Sequence, residues 1–213
     1  MANLRRGTYG DYYGSYFNQS EALSIEEMKI NAKYIYNYLT FSAWSLNAIA
    51  AVLGNMQAES TINPGRWQSE DVGNISMGYG LVQWTPSTKY TDWCLERGYS
   101  DASEMDSNLA RIRYEVANGI QWIATNTHNI SFLEFTQSTD SVESLAAAFL
   151  LNYERPADQS ESVQAYRGQL AAAWYTYLSG ITPTTPTKNK RKGYKFYLFG
   201  RAGKTQNVKN RLS

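Results

Sequence analysis

Apolar side chains return at helical spacing along most of the chain. Ile49, Val52, Leu53 and Met56 fall at i, i+3, i+4 and i+7, the signature of a helix burying one stripe. Met28, Ile35, Tyr36 and Leu39 mark an earlier helix, and Ser24-Ile-Glu-Glu27 before them is a capping box that fixes its start. The second helix must stop near Ser60 or Thr61, because Asn63-Pro64-Gly65 follows and proline both restricts its predecessor and lacks an amide donor. Further helices are predicted over about 87–97, closed by Gly98, and over 104–118, with Met105, Leu109, Ile112 and Val116, closed by Gly119. Val142, Leu145, Ala146, Phe149, Leu150 and Tyr153 form the most apolar stripe, expected to be the central helix, with Pro156 just beyond it. A last helix over about 161–178 presents Val163, Tyr166, Leu170, Trp174 and Tyr177 and ends at Gly180.

Two stretches break this texture. Residues 1–23 are rich in Tyr, Gly, Ser and Asn without helical or strand period, and read as an arm that orders against a partner or as a disordered leader. Between Trp67 and Trp84, Gly73, Gly78 and Gly80 alternate with Tyr79, Leu81 and Val82, which predicts a small irregular hairpin, a β-lobe inserted after the second helix. The expected fold class is α+β, mainly helical, with one domain over residues 24–180.

Charge divides the chain more sharply than hydropathy does. Residues 1–187 carry 11 Lys/Arg against 19 Asp/Glu, a net of −8, whereas 188–213 carry 9 basic residues and no acid. Residues 181–187, rich in Thr and Pro, read as a linker to this basic tail. The tail is expected either to contact anionic wall polymers, nucleic acid or a neighbouring protein, or to be a solvated end. No run of 18 apolar residues exists, and the first 25 positions lack the apolar stretch of an export signal, so neither a membrane span nor a signal peptide is expected. One cysteine, Cys94, and one histidine, His128, leave no disulfide framework and no His/Cys zinc set, so no metal or cofactor is expected. A Cys94–His128 thiol pair is disfavoured by the acidic neighbours of Cys94. Chemistry falls to carboxyls, hydroxyls and amides.

Among the acids, Glu59 stands out. It sits at the end of the second helix, beside the apolar stripe, where partial burial and the negative helix terminus both disfavour the charged form. A proton donor needs such a setting, although a structural carboxylate at a helix end shares it. Around it run Gly54-Asn-Met-Gln-Ala-Glu-Ser-Thr-Ile-Asn-Pro-Gly65 and Ser76-Met-Gly-Tyr-Gly-Leu-Val-Gln-Trp-Thr85. Glu-Ser-x-x-Asn-Pro followed by Gly-x-Gly-Leu-x-Gln resembles the signature of lysozyme-like muramidases and lytic transglycosylases. With Gln-Trp-Thr-Pro86 and Tyr153-Glu-Arg-Pro156, the chain is similar to the lysozyme domain of tail-knob cell-wall-degrading proteins of phages, over about residues 24–180.

That resemblance implies a lysozyme-like fold and cleavage of peptidoglycan glycan strands during host entry. Glu59 would be the acid aimed at the oxygen between N-acetylmuramic acid and N-acetylglucosamine, and the protein would belong to the virion tail. Asp71, with Glu70 as rival, is the candidate second carboxylate, against the alternatives of a solvated turn residue or a single-acid mechanism. Gln83 is placed as a hydrogen-bonding group for the sugar, Gly78 and Gly80 as points of close backbone approach, and Tyr79, Trp84 and Tyr153 as flat faces for pyranose rings. Ordinary core packing is the competing reading for the three aromatics. Glu154 and Arg155 read as a paired helix end. Other tail proteins are expected partners through the arm or the basic tail. A lytic transglycosylase, a phage endolysin and a non-catalytic wall-binding or tail-tip protein are the alternative functions.

Overall fold

Ser24 begins the first helix as its sequence requires: its hydroxyl accepts from the Glu27 amide, while the Glu27 carboxylate accepts from the Ser24 amide at 2.8 Å. In the computed structural model, which describes residues 1–186, α1 then runs Ile25–Thr40 and buries Met28, Ile35, Tyr36 and Leu39. α2, Leu46–Ser60, is the true centre: every residue from Ala48 through Met56 is buried. A helix apolar all round is stable only inside the core. The remaining helices are α3 (Thr88–Glu96), α4 (Met105–Asn118), α5 (Phe132–Gln137), α6 (Val142–Phe149) and α7 (Glu161–Ser179). The short α5, announced by its own Ser131/Glu134 capping box, is absent from the sequence reading. Among the described residues no helix is long and apolar enough to cross a membrane.

α2, α6 and α7 pack on one another and form the unit that carries the acidic residues of interest. Contact between α2 and α7 depends on Gly54, where a Cβ would stand 2.7 Å from the Ala171 amide nitrogen and 2.8 Å from the Arg167 carbonyl oxygen. Consequently α7 buries only part of the stripe expected of it: Trp174 is buried, while Val163, Leu170 and Tyr177 are half-buried. Tyr166 is exposed, and the inward face is Arg167, Gly168, Ala171, Trp174 and Leu178. Small residues, rather than the most apolar ones, allow the two backbones to meet. α6 begins as expected, but it continues into a π-helical turn, Leu150–Glu154, which ends at Arg155 in the left-handed region. Such wide turns tend to occur where a side chain is presented for function.

Regular strand structure lies elsewhere than predicted. Residues Asn3–Gly7 (β1) and Gly10–Gly14 (β2) pair antiparallel, with Gly7 opposite Gly10 around a two-residue turn. The hairpin rests on its own chain. Asn31 accepts from the Tyr13 amide and donates to the Tyr13 and Ile62 carbonyls, and Asn63 bonds Ser15, Glu21 and Gly65. The sequence hides this hairpin because its inward position on β1 is Arg5, which meets Asp101 at 2.7 Å, instead of an apolar residue. In the predicted β-lobe only isolated bridges form, Trp67 to Tyr79 and Tyr79 to Trp84. Positive φ at Ser69, Glu70, Gly73, Gly80 and Gln83 interrupts any longer ladder. In the linker, Thr184 is tied to α1 by two hydrogen bonds with Asn37, each of 3.0 Å. The basic tail, 188–213, lies outside the described residues.

Candidate active site

Glu59 stands at the last turn of α2, its side chain 22% exposed. The helix stops there because Thr61 and Ile62 both adopt positive φ before Asn63-Pro64. Arg167 reaches it from α7: Nη2 donates to Glu59 Oε1 at 2.5 Å, and Nη1 donates to the Asn55 carbonyl at 2.7 Å. This cation is the main feature that the sequence argument for Glu59 lacked. Helix end and burial were legible; a guanidinium 108 residues downstream was not.

The second surprise is Glu154, read from sequence as half of a paired helix end with Arg155. Arg155 instead donates to the Gln121 and Asn152 carbonyls. Glu154 turns inward with its side chain 4% exposed, 3.9 Å from Arg167 Nη1, and among the described residues neither carboxyl oxygen has a hydrogen-bond partner. Burial, reinforced by the Glu59 charge and opposed by Arg167, pushes its pKa well above the ordinary carboxyl value.

Both acids line one groove. Two adjoining cavities, of about 390 and 300 Å³, share Val82, Gln83, Thr85, Glu154 and Arg155. Glu59, Arg66 and Gln68 complete one end, and Lys89 and Gln121 the other. Their combined size matches a small-ligand site. Gln83, at φ +52°, spends its amide N–H groups on the Arg66 and Gly80 carbonyls, and its Oε1 is buried with no hydrogen-bond partner among the described residues.

Several expectations for this region are corrected. Tyr79, Trp84 and Tyr153 are 0%, 3% and 1% exposed, so none offers a free face to a sugar. Trp84 and Tyr153 donate instead to the buried Glu115, which Arg111 also bonds at 2.8 Å. This network forms a floor below the groove: Trp84 and Tyr153 are buried donors whose polar atoms must be satisfied internally. Gly78 and Gly80 make room for their own chain. A Cβ on Gly80 would stand 2.6 Å from Asn108 Oδ1, and one on Gly78 2.9 Å from Thr85 Oγ1. Asp71 is exposed in a turn, accepts from Asn74 at 2.7 Å and lines neither cavity. Its rival Glu70 pairs with Arg66 at 3.1 Å. Burial raises the Cys94 thiol to about 11, which leaves it a poor nucleophile near neutral pH.

Over 165 residues the chain is 50% identical to Morphogenesis protein 1 of Bacillus phage B103, covering 78% of this chain and 44% of that protein. It thus spans less than half the length of this curated relative. The model of the family described as phage tail lysozyme matches residues 30–178, which include Glu59, the groove and Arg167. The chain belongs to the phage tail lysozyme family.

Proposed function

We propose that this protein cleaves the glycosidic link between N-acetylmuramic acid and N-acetylglucosamine in peptidoglycan, with Glu59 delivering a proton to the leaving oxygen. One observation carries the reading: a partly exposed carboxyl at the edge of a groove, with a second, buried carboxyl and a single guanidinium behind it. Breaking a glycosidic bond needs a proton on the departing oxygen while positive charge grows on the ring. Glu59 is the exposed member of the pair and so the one that can meet substrate. Gln83 Oε1 is an unsatisfied acceptor in the same wall, suited to an acetamido N–H or a ring hydroxyl.

The expected setting is the phage particle at the host wall, supported by the family and by the relative's name, Morphogenesis protein 1. Zymography on peptidoglycan gels tests the chemistry. The wild type clears the gel and Glu59→Gln, folded normally by circular dichroism, does not; equal clearing by both, or none by either, removes Glu59 as the acid. Mass spectrometry of the released strands separates hydrolysis, which leaves reducing muramic ends, from transglycosylation, which leaves anhydro ends. Proteomics of purified virions checks the location, and absence from the particle would favour an endolysin.

A further inference from the structure

Glu154, the buried carboxyl behind Glu59, has no chemical step of its own in the proposed cleavage. Among the described residues its oxygens have no donor, and they see almost no solvent, a condition unfavourable to an anion unless it keeps a proton or gains a cation. Among the described residues the cation paired with it is Arg167, at 3.9 Å, already engaged with Glu59 through its other terminal nitrogen. One guanidinium thus faces two carboxyl groups, and a proton kept on Glu154 avoids an uncompensated buried charge there. The charged groups around Glu154 are Glu59 on α2, Arg167 on α7 and Arg155 beside it, with Arg66 and Lys89 on the groove walls.

Taking Glu59 as the acid, as proposed above, we infer that Glu154 is a positioning residue that stores the proton and passes it to Glu59 while Arg167 shifts from Glu59 to Glu154. In that step the O–H bond of Glu154 breaks and one forms on Glu59, directly or through a single water. Arg167 closes its 3.9 Å gap to ion-pair distance, roughly 2.8 Å, and neutralises the new Glu154 anion. Neutral Glu59 then gives the proton to the glycosidic oxygen. The electron pair of the breaking C–O bond leaves on that oxygen, which departs as a hydroxyl, and Glu59 becomes an anion again; the cationic ring carbon then bonds the oxygen of a water or of a sugar hydroxyl, and the proton that this oxygen sheds restores the Glu154 acid. The net charge of the two acids and the arginine stays constant until the sugar bond breaks, which suits a poorly solvated site.

The test is the pH dependence of kcat and KM on solubilised glycan strands for the wild type, Glu154→Gln, Glu154→Asp and Glu59→Gln. Glu154→Gln keeps the shape but has no acidic proton. It should lower kcat near pH 7 by about 10- to 100-fold with KM nearly unchanged, and move the alkaline limb at least about one unit lower. Glu154→Asp should recover part of both. A folded Glu154→Gln with the wild-type profile overturns the inference while leaving Glu59 in place; wild-type activity in Glu59→Gln removes Glu59 as the acid, and only an inactive wild type overturns the glycosidase reading itself. Should Glu154→Gln fail to fold, carbon-13 titration of the glutamate carboxyls in the wild type decides: two coupled steps for Glu59 and Glu154 support the shared proton, and two independent titrations refute it.

Discussion

At the scale of single residues, the environment of Glu154 makes a stability prediction separate from catalysis. Its folded pKa lies above the ordinary value of 4.5, so between those two values the native state binds a proton that the unfolded chain releases. Stability from this group is therefore complete below about pH 4.5 and is lost as pH rises through the folded pKa. Urea unfolding across about pH 4 to 8 should show wild-type stability declining relative to Glu154→Gln; parallel curves would mean that the carboxyl is not protonated in the fold. Asn63 makes a simpler case. It is fully buried, and its amide satisfies Ser15, Glu21 and Gly65 at once. Asn63→Ala leaves buried partners unmatched, at a cost of about 2–3 kcal/mol, which scales to a Tm loss of about 5–10 °C in a thermal melt.

The contact between α2 and α7 governs the site at the scale of elements. Gly54 lets α7 approach closely, and that approach sets Arg167 against both Asn55 and Glu59. Gly54→Ala should gain in helix propensity yet lose overall by about 1–3 kcal/mol, because the new methyl meets backbone atoms that cannot step aside. Activity should fall further than this modest destabilisation explains, since Arg167 moves with α7. A variant that melts lower but keeps wild-type kcat would show that the arginine's placement tolerates displacement. The same logic explains the π-helical turn after α6. A regular helix would carry residue 154 to a different azimuth, whereas the wide turn ends with its carboxyl facing inward.

Across the whole molecule, the segregation of charge adds an electrostatic prediction. Residues 1–187 alone carry −8 and should be repelled by walls rich in anionic polymers. A chain ending at Thr187 should therefore bind such walls more tightly as salt rises from about 10 to about 150 mM, because the screening length shrinks from about 30 to about 8 Å. The full chain, at +1, should show a weaker or opposite trend in co-sedimentation with purified walls. A truncated chain with the same salt dependence as the full one would remove any role for residues 188–213 in wall contact.

Much of this architecture is local and was legible in order. Capping at Ser24, the stops at Thr61, Gly98 and Gly119, and the stripes of α1 and α2 follow from hydrogen-bond accounting at helix ends and from the periodicity of apolar burial. Neighbours in sequence suffice for those decisions. Glu59 was legible as a candidate for the same reason, since its helix end and flanking stripe are encoded within a few residues. What faces it was not. Arg167 and Glu154 reach the groove because helices distant in sequence pack together, and Tyr79, Trp84 and Tyr153 lose their expected sugar-facing role because packing buries them. The sequence by itself determined where many of the helices start and stop and which carboxyl ends the second helix beside its apolar stripe. Only the tertiary structure decided which charges share a groove, because burial and electrostatic pairing depend on distances in space that no local pattern of residues encodes.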